Sequence, residues 1–173
     1  MSTSFTVPIQ AFFRRIERDK KFFDYYNVDA TEAMALASEQ AYGYLVESIS
    51  QIVMNCSPDV DFTNYTVSTD TNGNDTGTFN FDLTNNEVNL LAQLMYERYF
   101  NRDFVKLRAF KLQFSPSDLN VFSPANERRT FIDMYNKVKS ESQSMLDNYA
   151  SRDRLTNKLK SIDYSKYFDV NGD

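Results

Sequence analysis

The loop from Thr69 to Gly77 holds the densest run of potential metal ligands in the chain. Asp70, Asn72 and Asn74 stand at the spacing of the first ligands of an EF-hand calcium loop. The pattern then fails. The position that needs glycine for the sharp turn is Asp75, and the position that needs a bidentate glutamate is Phe81. A turn is expected here, not a metal site. Acid pairs such as Asp59 and Asp61 are of the right type for general acid–base work, but paired carboxylates in so acidic a stretch need no catalytic role. The chain has no histidine, the usual general base near neutral pH and the commonest metal ligand. That removes Ser-His-Asp and Cys-His triads and most zinc chemistry. Cys56 is the one cysteine, which excludes an internal disulfide. Four glycines leave no phosphate loop and no dinucleotide fingerprint. No catalytic, metal or cofactor-binding residue is expected, no cofactor is implied, and the chain does not read as an enzyme.

What remains is charge and aromatic surface. The net charge of −5 hides an asymmetry. No Lys or Arg occurs from Phe22 to Glu97, a stretch with 12 acids, whereas residues 1–21 carry a formal +3 and residues 98–173 a formal +4. The acidic stretch is either a solvated face or one pole of a subunit that docks by charge. Arg98, Arg102, Lys106, Arg108 and Lys111 form a basic cluster around the single acid Asp103. Such charge suits a helix C-terminus. Contact with phosphate or nucleic acid is the sharper alternative, but no nucleic-acid motif accompanies it. Tryptophan is absent, so the 26 Phe and Tyr residues supply the large contact area for core and interfaces.

Placing these groups falls to one domain, which 173 residues suit. No apolar run reaches transmembrane length, and no secretory signal is visible at Met1 to Gln10. Residues 1–28 read as an N-terminal amphipathic arm, helical over 7–26, with Val7-Pro8 in its first turn. Its Phe12, Phe13, Phe22 and Phe23 recur among Arg14, Arg15, Arg18, Lys20 and Lys21. They pack on the domain's own core or bind a partner; a membrane surface is the weaker form of the second reading.

Residues 29–154 read as a helical core. Asp29 or Thr31 caps a helix that runs to about Cys56 and ends at Ser57-Pro58. Its stripe is Met34, Ala37, Ala41, Leu45, Ile49, Ile52 and Cys56. A hairpin occupies 60–83, with strands at 60–68 and 78–83. An isolated hairpin is marginal, so it must lie on the helices or pair with a neighbouring chain. Thr84 and Glu87 form a capping box for a helix that carries Val88, Leu91, Met95 and Tyr99 and ends between Arg102 and Lys106. Phe110 to Phe114 reads as a short strand or extended segment. Pro124 opens the last long helix, whose seam is Phe131, Tyr135, Val138, Ser142, Met145 and Tyr149. Asp153 to Lys160 can extend that helix. Residues 155–173 form a C-terminal tail, where Tyr164, Tyr167 and Phe168 are docking anchors, either on this subunit or on a partner. The expected fold is mainly α: a small helical bundle with a β-hairpin insertion and extended N- and C-terminal arms.

Two stretches resemble one known family. Thr78-Phe79-Asn80-Phe81-Asp82-Leu83-Thr84-Asn85-Asn86-Glu87 followed by Leu90-Leu91-Ala92-Gln93-Leu94-Met95 is similar to neck, or head–tail connector, proteins of tailed bacteriophages. So is Asp118-Leu119-Asn120-Val121-Phe122-Ser123-Pro124-Ala125-Asn126 before a long helix ending near Tyr149. The shared pattern is a strand, a capped helix with Leu-Ala-x-Leu-Met, a loop, and Phe-Ser before a second long helix. It covers a little under half the chain. The resemblance implies a structural virion protein in the neck between capsid and tail, assembled in the host cytoplasm. It implies copies of the chain in a ring, of twelvefold symmetry in such necks. The ring would bind the portal and further neck or tail proteins and leave a channel for DNA during genome ejection, with no sequence-specific DNA binding and no membrane. On this reading Asp59, Asp61, Asp70 and Asp75 face the channel. A cellular helical adaptor or regulatory subunit is the alternative, and a nucleic-acid-binding module built on the basic cluster is a third class.

Overall fold

A computed structural model of the chain describes residues 2–16, 20–23, 28–56, 58–69, 75–113 and 125–161, with backbone alone at 20, 21, 75, 103–113 and 125–128. The elements are β1 (Thr3–Ser4), α1 (Thr6–Arg15), α2 (Lys20–Phe23), α3 (Ala30–Asn55), β2 (Tyr65–Thr69), β3 (Asp75–Phe79), α4 (Asn85–Gln113) and α5 (Ala125–Ser151). The molecule is mainly helical with one small antiparallel sheet of order β1-β3-β2.

Two helices start as their sequences dictate. Asp29 Oδ1 accepts the backbone N–H groups of Thr31 and Glu32, both at 2.8 Å, which satisfies two orphan donors of α3. At α4 the box closes in both directions: Thr84 N–H donates to Glu87 Oε2 at 2.7 Å, and Glu87 N–H donates to Thr84 Oγ1 at 3.3 Å. Ala33, Ala37 and Ala41 are buried on α3. Such small residues let another helix approach α3 closely, and Leu45, Ile49 and Ile52 continue the buried stripe. Met34, expected in this stripe, is exposed, and Ala33 takes the buried position. The seam of α5 faces α4: Val138 and Ser142 are buried, and Phe131, Tyr135, Met145 and Tyr149 pack partly buried against the core. The polar gap costs little, because Ser142 Oγ donates to Val138 O at 2.9 Å within its own helix.

The N-terminal segment belongs to the core. The expected helix over 7–26 is observed as α1 and α2. Ile16 closes α1, its N–H shared between Phe12 O and Phe13 O. Before α1, Thr3 and Ser4 pair with Phe79 and Thr78 as the third strand. Phe5 then enters the core and stacks within 4.6 Å of Phe79 and 5.2 Å of Tyr65 between ring centroids. Phe12 and Phe22 are buried, edge to face at 5.7 Å, and both meet Tyr99 of α4. The reading in which these phenylalanines pack on the domain itself is the one observed; Phe12 and Phe22 are not available to a partner.

The strands lie nearer the hairpin tip than their alternation predicts, at 65–69 and 75–79 instead of 60–68 and 78–83, so that Thr69 and residues 75–77 of the expected loop are strand. Residues before Tyr65 form a turn in which Asp61 Oδ1 accepts Thr63 N–H at 2.8 Å and Asn64 N–H donates to Asp61 O at 3.0 Å. β3 ends at Phe79; beyond it Asn80 N–H donates to Asn64 O at 3.1 Å, Phe81 O accepts Thr3 N–H at 3.2 Å, and the Phe81 ring packs on Phe62 at 5.6 Å. Phe110 to Gln113, expected as extended, lies inside α4. Its local alternation is outweighed by Lys, Leu, Arg, Ala and Gln, all good helix formers. The helix does not continue through Lys160 either. The chain turns back after Ser151: Asp153 N–H donates to Lys158 O, Lys160 N–H donates to Ser151 O, and Arg152 bridges Leu159. Asn157 adopts φ 56° at this turn, a left-handed conformation that asparagine tolerates.

Candidate functional site

The polar centre of the molecule is built around Glu87. Its capping role places it at the start of α4, where α5 ends and the chain turns back. Glu87 is fully buried, yet all its acceptor positions are used. Besides Thr84, Tyr149 Oη donates to Oε1 at 2.8 Å, Arg154 Nε to Oε1 at 2.6 Å, and Arg154 Nη2 to Oε2 at 3.1 Å. Arg154 also donates to Asp82 O and lies over the Phe81 ring at 5.6 Å. Its backbone N–H reaches Asp59 Oδ2 at 3.3 Å. Burial, and then the neighbouring Glu87 carboxylate, push the Tyr149 hydroxyl far above the usual tyrosine range. The hydrogen bonds to Glu87 raise the Arg154 guanidinium in turn. Tyr149 and Arg154 thus both keep their protons near neutral pH, and both oxygens of Glu87 are occupied by donors. The cluster is a tie between α4, α5 and the base of the hairpin, not an acid–base pair.

A cleft of about 330 Å³ opens beside this tie, lined by Asn86, Asn89, Asn148, Arg152 and Asn157 among others. Arg152 is engaged there, donating to Asn157 O at 3.0 Å. A second groove, of about 530 Å³ and largely apolar, runs between α1, α3 and β3; Phe13 of the expected partner-binding set lines it with Ile9 and Met34. Phe23 is partly buried against the core. Tyr164, Tyr167 and Phe168 lie outside the described residues.

The expected channel-facing acids are distributed unevenly. Asp59 is exposed but tied, by Arg154 and by Lys160 Nζ at 2.9 Å. Asp61 is exposed, and the Thr63 hydroxyl and N–H hold its carboxyl below the ordinary range. Asp75 opens β3 opposite Thr69; Asp70 lies outside the described residues. Two members of the basic cluster are engaged within the domain. Arg98 reaches back to α3, donating to Gln51 Oε1 at 2.8 Å and pairing with Glu47 at 3.6 Å. Arg102 lies over the rings of Tyr99 at 5.3 Å and Phe22 at 6.0 Å. Lys106, Arg108 and Lys111 stand on the last turns of α4, their side chains outside the described set.

The charge asymmetry is therefore partly internal. Arg98, Arg154 and Lys160, all from the basic C-terminal part, pair with Glu47, Glu87 and Asp59 of the acidic stretch. Glu32 and Glu39 of α3 are exposed, with no ion pair among the described residues. Sequence reasoning singled out Asp59, Asp61, Asp70 and Asp75 instead of these two; their spacing of seven residues is the signal that places them on one helix face. It also missed the second role of Glu87. Nothing local announces a partner 67 residues away, although Tyr149 closing the α5 seam opposite the capping box was a hint.

Deeper between α1 and α4, Arg15 donates to Gln93 Oε1, and burial lowers the guanidinium's affinity for its proton. Gln93 Nε2 and Glu97 Oε2 are buried without a hydrogen-bond partner among the described residues. Among the described residues no group of three or more ligating side chains converges as a metal site, and no helix is long and apolar enough to cross a membrane. Compared with known proteins, the chain matches no family model, no curated sequence and no solved structure.

Proposed function

We propose that the chain is a structural subunit of a ring in the neck of a tailed phage, joining the portal to the tail and leaving a passage for DNA. The observation that carries this reading is the saturated Glu87 tie. It joins Asp82, Thr84 and Tyr149, within the stretches that resemble connector proteins, to Arg154 just beyond them, and it offers no free group for chemistry. A buried ion pair with every valence occupied favours a fixed shape over turnover, as a load-transmitting ring requires. Exposed Glu32 and Glu39 of α3 suit a surface past which a polyanion must slide without adhering. Subunits of a ring meet through heterologous contacts that close by rotation.

The test is co-assembly. Purified chain mixed with the portal of its parent particle is expected to form a closed complex of defined mass. Particles carrying Glu32→Lys and Glu39→Lys are expected to assemble but eject DNA more slowly, because each added cation makes a counterion-releasing phosphate contact. A stable monomer that ignores the portal and every neck component refutes the ring. Unchanged ejection places Glu32 and Glu39 away from the channel.

A further inference from the structure

We infer that the turn at 152–160 of one copy docks, through Leu155 and Leu159, in the apolar groove between α1, α3 and β3 of a second copy. The inference rests on the ring reading in needing copies side by side, and it names the two surfaces by which they meet.

The turn is a rigid knob. Leu155 and Leu159 are 79% and 69% exposed, more than any other large apolar side chain among the described residues except Met54. Their backbone is fixed at nearly every step. Asp153 Oδ1 accepts the N–H groups of Leu155 and Thr156 at 3.2 and 2.7 Å, and the Thr156 hydroxyl at 2.6 Å. Asn157 N–H donates to Asp153 O at 2.9 Å, while Asp153 N–H donates to Lys158 O and Lys160 N–H to Ser151 O, both at 2.8 Å. Arg152 Nη1 closes the turn on Asn157 O at 3.0 Å. The two leucines thus meet water on a backbone that is already ordered. Docking them loses little backbone entropy and removes apolar surface from water.

The groove has the complementary character. Its volume of about 530 Å³ falls within the roughly 300–1,000 Å³ of sites that enclose a ligand. Ile9, Phe13, Met34 and Tyr42 give it apolar walls, and Met34 is half exposed there. Among the described residues Glu39 is the one charged side chain that lines it, and Glu39 is exposed. On the knob, Arg154 is taken up by Glu87 and Lys160 by Asp59. Arg152 and Lys158 then stand against Asp153 alone, which leaves the knob positive. A positive knob meets a groove with a negative rim. Rim charges of this kind act chiefly on the rate at which copies find each other, while the leucines hold them together.

The fold keeps the two surfaces of one copy apart. Residues of the first half of α3, Met34, Ser38 and Tyr42, line the groove. The knob is held beyond the other end of α3, where Lys160 Nζ meets Asp59 at 2.9 Å and Arg154 N–H reaches the same carboxylate at 3.3 Å. Between Tyr42 and the end of α3 at Asn55 the helix runs roughly 20 Å, at about 1.5 Å per residue. A knob tied down there cannot turn into its own groove, so the surfaces meet only between copies. Because they differ, the contact is heterologous: each copy offers one knob and one groove, and repetition closes a ring where the rotation allows. A single contact of this size is weak between two free copies. Ring closure makes the last contact intramolecular and strengthens the whole.

The test is sedimentation velocity of the full-length chain at concentrations up to millimolar. Leu155→Glu with Leu159→Glu spoils the knob, and Met34→Lys spoils the groove. All three positions are exposed, so the melting temperatures are expected to match that of the unaltered chain. Gln10→Lys, at an exposed position on the α1 wall of the groove, serves if Met34→Lys fails to fold. The unaltered chain is expected to associate without stopping at the dimer, and each variant alone to associate roughly tenfold more weakly or worse. Mixed in equal amounts, a knob variant and a groove variant are expected to form dimers and nothing larger, since one keeps its groove and the other its knob. Lys158→Glu is expected to slow association and flatten its dependence on salt. An unaltered chain that stays monomeric at millimolar concentration overturns the inference, as do variants that associate like the unaltered chain or mixtures that grow past the dimer. Groove variants with lowered melting temperatures and unchanged association overturn it too, because the groove is then filled from within the same chain. A chain that associates by knob and groove but ignores the portal refutes the neck reading and leaves the contact standing. Variants that join the portal as the unaltered chain does refute the contact and leave the neck reading standing.

Discussion

Replacing Arg154 by methionine tests whether the Glu87 tie holds the fold. The side chains of Glu87 and Arg154 are 0% and 14% exposed, so solvent screening relieves little of the interaction. Removing the cation strands a buried carboxylate with the Tyr149 hydroxyl and one backbone N–H as its donors. Breaking such a pair costs about 3–5 kcal/mol, a large share of the roughly 5–15 kcal/mol that holds a domain together. At about 2–4 °C per kcal/mol for a chain of this size, the melting temperature falls by roughly 6–20 °C. Glu87→Gln with Arg154→Met removes both charges and keeps an acceptor for Thr84. The double variant is expected to recover about 2 kcal/mol relative to the sum of the singles. Urea denaturation followed by circular dichroism measures all four proteins. An Arg154→Met chain within about 1 kcal/mol of the unaltered protein refutes the reasoning, for it means that water or another cation reaches Glu87.

Gly77→Ala is expected to destabilise by about 1–3 kcal/mol, because an added Cβ sits 2.5 Å from two ring carbons of Phe5, which β3 and α3 hold in place; a melting curve like that of the unaltered chain shows that the ring moves freely. Tyr149 has a folded-state affinity for its proton above that of the unfolded chain. Its contribution is therefore complete below about pH 10 and is lost as pH rises beyond that, at about 1.4 kcal/mol per pH unit. Tyr149→Phe is expected to flatten the alkaline limb of the stability profile, and an unchanged limb assigns the loss to other groups.

Much of the helical framework was legible because its signals are local. Asp29, the Thr84–Glu87 box and the four-three spacing on α5 each specify their structure within a turn or two. Signals that are local but weak misled. The alternation at Phe110 to Phe114 lost to helix propensity, and alternation around residues 60–64 lost to the Asp61 turn. The N-terminal phenylalanines were ambiguous for another reason: an amphipathic segment has the same pattern whether it packs on its own domain or on another. Only the pairing of Thr3 with Phe79 and the packing of α1 on α4 decide. The acidic stretch was visible as composition, but its discharge by Arg98, Arg154 and Lys160 depends on tertiary proximity that no spacing encodes.

The place of the N-terminal segment in the core has a consequence for biosynthesis. Phe5 needs Phe79, and Phe12 and Phe22 need Tyr99 before they can leave water. Once made, these phenylalanines thus wait for partners made some eighty residues later. At about 5–20 residues per second the delay is roughly 4–16 s. For that time an aromatic segment flanked by Arg14, Arg15, Lys20 and Lys21 stands exposed on every nascent chain. The chain is thereby marked as a client for whatever holds hydrophobic, basic segments near the exit tunnel. Its yield in the cell depends on that waiting period as well as on the stability of the finished fold.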